Sequence, residues 1–202
     1  MVLDKELYMS TETLPDSQVD FDKDKFSIID NFLPENEFSE LKENVMWNSN
    51  FPINMVKDVG VDKKLTTPEA YHLEHKNKWA WYGVHIFYHG DVPKSEYYGK
   101  IQDIFCPKLY DLGVLKSLTR IKLNFYPYTT KIQEHNPHQD QKDFVKAALF
   151  SLNTCNGFTR MHNGTKIDSV ANRLVLFDGS QLHNSSTTSN AKARYNINFN
   201  FY

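Results

Sequence analysis

The chain ends in a segment, RYNINFNFY, that alternates residue by residue between apolar and polar side chains. Successive side chains of an extended strand point to opposite faces. Tyr195, Ile197, Phe199 and Phe201 therefore form one face, and Arg194, Asn196, Asn198 and Asn200 the other. The apolar face has to pack on a core. A polar face turned toward a barrel interior needs water, side-chain partners or a polar ligand, because unpaired polar groups are costly to bury. An arginine on that face suits a carboxylate, which its planar fork can grip with two parallel hydrogen bonds. The plainer alternative is a surface arginine on an edge strand.

The rest of the chain supports a β architecture. Its 202 residues, 40% of them hydrophobic, fit one globular domain with a sizeable core, and 14 Phe, 11 Tyr and 3 Trp suit packed sheets. The short runs SLTRIKLNFY, KAALFSLN, GFTRM, KIDSV and RLVLF, separated by turn signals, predict a sandwich or barrel. WAWYGVHIFYH reads as a further strand, and His162-Asn163-Gly164 as a hairpin turn. A helix is predicted over about 35 to 46, with Pro34 near its first turn and Phe38, Leu41 and Val45 on one face. A second should start at Ser95, which could cap it, and run through Tyr98, Ile101, Phe105 and Leu109, with Pro107 kinking or ending it. The expected organisation is an extension over 1–22 and a single domain over 23–202. Helical support spans about 35–112 and the barrel about 117–202.

Three side chains offer a metal site. In the run HQD, His138 and Asp140 lie two apart and converge if the segment is extended, and Pro137 disfavours helix at Asn136. His183 follows the apolar run LVLF and the turn-like Asp178-Gly179, so it is expected at a strand end. Two imidazoles and one carboxylate can fix a first-row metal on one side and leave positions open on the other. His135 competes with His138, but only His138 has a carboxylate two positions on. His72, His75, His85, His89 and His162 are read as ordinary hydrogen-bonded histidines, with His85 and His89 on one strand face. On LTRIKLNFY, Tyr126 shares a face with Asn124, Lys122 and Arg120. Its hydroxyl is either a donor to a ligand or part of ordinary core packing.

These residues together resemble the iron(II)- and 2-oxoglutarate-dependent oxygenases: His138-x-Asp140, His183, and Arg194 eleven positions later, with Asn196 where several members place a second polar contact to the cosubstrate. FSIIDNFLPENEFSELKENV, LFSLNTCNGFTRM and SVANRLVLFDGSQLH extend the likeness over roughly residues 26 to 202, strongest after Leu118. The resemblance implies a mainly β fold with N-terminal helices and a double-stranded β-helix core, the cupin-like jelly-roll. It implies iron(II) held by His138, Asp140 and His183, and 2-oxoglutarate held by Arg194 with Tyr126, Asn124 and Asn196. Dioxygen would be consumed, succinate and CO2 released, and ascorbate would be supportive. The branch most resembled is the small viral and bacterial prolyl-hydroxylase-like one, which implies a hydroxylase of a peptide or protein side chain, with proline favoured, or of a small molecule. The loop over about 50–77 is long enough to serve as a lid.

Two other functions are compatible with the residues. Asn124-x-Tyr126, HQD and Arg194-x-Asn196 also resemble oxidative nucleic-acid demethylases, but Asn200 stands where that branch usually has a second arginine. A net charge of −2 and pI near 6.4 give no general footprint for nucleic acid, and Lys57, Lys63, Lys64, Lys76 and Lys78 read as a solvated loop. A jelly-roll module holding zinc or a small ligand without turnover is the non-enzymatic alternative, and it leaves Arg194 without a task. No secretory leader or membrane-length apolar run is evident. Cys106 and Cys155 are not expected to pair. Both features predict a protein of a reducing cytoplasm, that of a host if the chain is viral. The oligomeric state is left open.

Overall fold

Strands form where alternation and aromatic or β-branched runs place them, and helices where apolar residues recur every three to four positions. The computed structural model describes residues 25–57, 79 and 81–202. The expected extension over 1–22, most of the expected lid, His72, His75 and the lysines from Lys63 to Lys78 lie outside the described residues. In chain order the elements are β1 (Phe26–Ile29), α1 (Glu35–Val45), β2 (Asn54–Lys57), β3 (Trp81–His89), β4 (Val92–Pro93), α2 (Tyr98–Asp111) and β5 (Leu118–Pro127). They continue with β6 (Lys146–Ser151), β7 (Cys155–Met161), β8 (Lys166–Ser169), β9 (Arg173–Asp178), β10 (His183–Ser185) and β11 (Ala193–Phe201).

The strands build two antiparallel sheets. The larger runs β1-β9-β6-β11-β5-β3-β2, with β4 added on β3, and the smaller runs β10-β7-β8. Between them lies the interior of a double-stranded β-helix, a jelly-roll. The outer face of the large sheet carries Ile121, Leu123, Phe150, Ile197, Phe199 and Phe201, on which Phe38, Leu41 and Val45 of α1 and Ile101, Phe105 and Leu109 of α2 pack. Each such side chain, fully buried, adds about 1.5–3 kcal/mol. A smaller cluster joins Ala147 and Leu149 of β6 and Val175 and Phe177 of β9 to Met161 and Ile167 of the small sheet. The interior is thus apolar beside β6 and β9 and polar beside β5 and β11, as the RYNINFNFY alternation requires.

Most elements fall where the sequence places them, with three differences. The second helix begins at Tyr98, because the Ser95 hydroxyl accepts from the Tyr97 amide at 3.1 Å ahead of the first turn. Pro107 lies inside this helix, which continues to Asp111, so the lost amide bond is outweighed by the burial of Phe105 and Leu109 on its core side. On β3 a bulge between Ile86 and Tyr88 interrupts the parity that would put His85 and His89 on one face. His85 is buried between the Pro52 carbonyl at 2.8 Å and the Ser95 hydroxyl at 2.7 Å, while His89 is exposed at the strand end. The predicted hairpin joins β7 to β8. Gly164 takes φ +87° there and its amide donates to the Met161 carbonyl at 2.8 Å. Cys106 and Cys155 are both free thiols. Among the described residues, no helix is long and apolar enough to cross a membrane.

Candidate metal centre

After β5 the chain returns across the barrel mouth, and backbone bonds fix its register. The amide of His138 donates to the carbonyl of His183, and the amide of His183 to the carbonyl of His138, each at 2.9 Å. The Asp140 amide donates to the Gly179 carbonyl at 2.9 Å. His183 therefore opens β10, at a strand end reached after the turn that follows β9. The two imidazole centroids lie 4.6 Å apart, and one ligand atom from each of His138, Asp140 and His183 falls within 4.8 Å of the others. Ligands held at about 2.0–2.2 Å from one ion sit no more than about 4.4 Å apart, so a small side-chain rotation closes the set.

The donor chemistry fits a divalent cation. Nδ1 of His183 meets the Gln181 carbonyl at 2.9 Å and must donate there, which leaves the lone pair of Nε2, itself 4.0 Å from Asp140 Oδ2, open to an ion. His138 Nδ1 is buried without a partner. Burial, together with the charge of His183, lowers the His138 pKa to about 3, so its imidazole is neutral at ordinary pH, the form that a metal site requires. Asp140 is held from three sides. Arg120 Nη2 donates to Oδ1 at 2.7 Å, and Asn200 Nδ2 and Asn198 Nδ2 donate to Oδ2 at 2.8 and 3.2 Å. Burial alone would raise the Asp140 pKa, but the charges of His183, Arg120 and Lys122 outweigh it and keep the carboxyl ionised far below the usual range.

Behind Tyr126 and Thr159 lies Arg194, which is 1% exposed. Its Nη1 donates to the Phe158 carbonyl at 2.8 Å and its Nη2 to the Thr159 hydroxyl at 2.8 Å, both on β7. The Nε–H has no partner, and among the described residues no carboxylate pairs with this guanidinium. Gly157 makes the placement possible. A Cβ there would come within 2.8 Å of Arg194 Cδ and of the Thr187 carbonyl oxygen. The Tyr126 ring lies under Arg194 Cζ at 5.4 Å. Burial, opposed by the Arg194 charge, pushes the Tyr126 phenol up to about 12, so it stays a neutral donor. Asn124 Nδ2 donates to Asn196 Oδ1 at 2.8 Å between these residues and the triad.

One small cavity is lined by Tyr126, Asn124 and Asn196 on one wall and by His138 and His183 on another, with Leu149 and Phe177 supplying apolar surface. Five of the seven residues singled out in the sequence thus line one cavity, with Asp140 beside the two histidines and Arg194 against Tyr126 and Thr159. The structure also adds Arg120, Asn198 and Asn200 behind Asp140, and His135, whose Nδ1 lies 2.9 Å from the Ser185 hydroxyl. The strand parity of Arg120 and Lys122 was readable in the sequence. The return of Asp140 onto Arg120 was not.

The sequence matches no family model and no curated protein. Its fold does match solved structures. A prolyl hydroxylase from Trichoplax adhaerens, in complex with a hypoxia-inducible-factor peptide fragment, superposes with a TM-score of 0.56 at 18% identity, covering 87% of this chain and 83% of that one. The viral collagen prolyl hydroxylase of Paramecium bursaria Chlorella virus-1, solved with 2-oxoglutarate, gives 0.53 at 15% identity over 90% and 99% of the two chains. A non-haem α-ketoglutarate-dependent epimerase of nogalamycin biosynthesis gives 0.60 at 8% identity over 88% and 78%. The chain has the jelly-roll fold of the iron(II)- and 2-oxoglutarate-dependent oxygenases.

Proposed function

We propose that this protein is an iron(II)- and 2-oxoglutarate-dependent dioxygenase that hydroxylates a peptide or protein side chain, with proline the favoured acceptor. The observation that carries the reading is Arg194, a buried guanidinium with no carboxylate partner among the described residues, held against Tyr126 and Thr159, which line the same cavity as His138 and His183. A bare zinc site would have no use for that cation. The peptide bound by the Trichoplax neighbour supports a polypeptide substrate.

Each residue has a defined task. His138 and His183 would present imidazole nitrogens and Asp140 a carboxylate, fixing one side of the ion. Arg194 pairs with the far carboxylate of 2-oxoglutarate, and the Tyr126 phenol and the Asn124–Asn196 pair orient its chain. Leu149 and Phe177 exclude water beside the triad. When bound, iron(II) supplies dioxygen activation, which couples conversion of 2-oxoglutarate and O2 to succinate and CO2 with insertion of one oxygen atom into a C–H bond. Ascorbate would serve only to keep the iron ferrous.

The test is succinate release from purified protein given iron(II), 2-oxoglutarate, ascorbate and proline-containing peptides, beside a His138→Ala control, with 2-oxoglutarate binding measured in parallel. Peptide-dependent succinate above the control, with a product heavier by one oxygen, is expected. Absence of both turnover and 2-oxoglutarate binding would leave a metal- or ligand-binding module.

A further inference from the structure

Lys122 lies on the inward face of β5, two residues from Asn124 and four from Tyr126, and faces Asn198 across the β5–β11 ladder. Its side chain lines the cavity that Asn124, Tyr126, His138 and His183 also line. Among the described residues no hydrogen bond or ion pair holds its ammonium, and its nearest recorded contact is the Tyr82 ring, 5.7 Å from Nζ to centroid. The charges around this space do not balance. Arg120, Lys122 and Arg194 contribute three cations, and Asp140, already paired with Arg120, is the carboxylate recorded among them. Arg194 is 1% exposed, and a buried cation without an anion is costly, so with Lys122 close by the space has the charge of a receptor for a multiply charged anion.

The positions of the cations narrow the choice. Arg194 pairs with Tyr126 in the ladder and Lys122 sits four residues along the same strand, roughly 13 Å of extended backbone. Both side chains are long, and the space between their roots is walled by the amides of Asn124 and Asn196. An anion with charge at both ends fits this spacing better than a compact one such as phosphate. Lys122 is also the end nearer the triad, since Arg120 and Asn198, its neighbours along and across the ladder, both touch Asp140.

We propose that Lys122 is a second carboxylate anchor, whose ammonium takes the oxo-acid carboxylate of 2-oxoglutarate while Arg194 takes the far one, so that protein cations grip the diacid at both ends. This rests on the reading of the cavity as a 2-oxoglutarate site and adds a residue and a property to it. Binding of the diacid then does not depend wholly on the metal.

The test is calorimetry on the full chain after metal removal, with three ligands. These are 2-oxoglutarate, 2-oxobutanoate, which keeps only the oxo-acid end, and levulinate, which keeps the ketone and the far carboxylate. The unaltered metal-free protein should bind 2-oxoglutarate. Lys122→Met should weaken 2-oxoglutarate and 2-oxobutanoate by about tenfold or more, the size expected for a lost charged hydrogen bond, and leave levulinate unchanged. Lys122→Arg should restore much of the loss, and Arg194→Met should show the reverse pattern, losing levulinate. Unchanged levulinate binding also shows that the Lys122 variant is folded. The proposal is overturned if Lys122→Met leaves 2-oxoglutarate and 2-oxobutanoate binding intact, or weakens all three ligands alike. It also fails if the diacid binds only after iron(II) or manganese(II) is added, and the dioxygenase reading survives that result. If 2-oxoglutarate binds under neither condition, the dioxygenase reading falls as well.

Discussion

Asn200 and Arg120 face each other across the β11–β5 ladder, and both donate to the carboxylate of Asp140, at 2.8 and 2.7 Å. The position that carries an arginine in the demethylase branch holds an amide here, and the neighbouring strand supplies the guanidinium. Asp140 is thus oriented by the large sheet while its backbone belongs to the returning loop.

Because neutral donors behind a ligand set its orientation, Asn200→Leu should weaken metal binding by about 10–100-fold. Binding of levulinate to the metal-free protein should be unaffected. Competition against a chelating dye measures the first quantity and calorimetry the second.

Gly157→Ala should act on Arg194 from behind. The added methyl meets Arg194 Cδ and a backbone oxygen at 2.8 Å, and the backbone oxygen cannot swing away. A stability loss of about 1–3 kcal/mol is expected from overpacking. Weaker 2-oxoglutarate binding with unchanged metal binding should accompany it, and denaturant melts with parallel titrations would show both.

Burial first, with the Arg194 charge adding, lowers the pKa of His135 to about 4. The unfolded chain, with a histidine pKa near 6.5, binds more protons than the folded one between those values, so stability rises with pH across that window. The contribution is complete above about 6.5 and is lost on acidification toward 4, on the order of 3 kcal/mol in all. In metal-free protein, His135→Gln should flatten this part of the Tm-versus-pH curve. An unchanged slope would contradict the assignment.

On the far side of the large sheet, Phe105 contacts Phe150 and Phe199 with ring centroids 4.9 and 4.7 Å apart. Phe105→Ala should cost about 3–5 kcal/mol of stability. Since the helix layer lies outside the cavity, the fraction that stays folded should bind metal normally, which separates scaffold damage from site damage.

Much of this was legible because strand parity is a local rule. RYNINFNFY and LTRIKLNFY each divide into an apolar and a polar face, and the ladder aligns those faces register by register. The His138, Asp140 and His183 set was legible from residue type, and its convergence follows from the His138–His183 bridge and the Asp140–Gly179 amide bond. The Asp140 cradle was hidden, since it depends on where a loop of weak periodicity returns. The β3 bulge escaped notice because a one-residue pairing shift leaves no mark on composition. The early end of the Ser95 cap escaped because the same hydroxyl also serves His85 on another strand.

The paired amide bonds between His138 and His183, flanked by the His135–Ser185 and Gln139–Ser180 contacts, splice two distant stretches of chain without help from an ion. Removal of a bound ion should leave the shape intact, so that reloading needs no refolding. Which ion occupies such a ready-made seat is then governed by the supply of divalent ions around the protein.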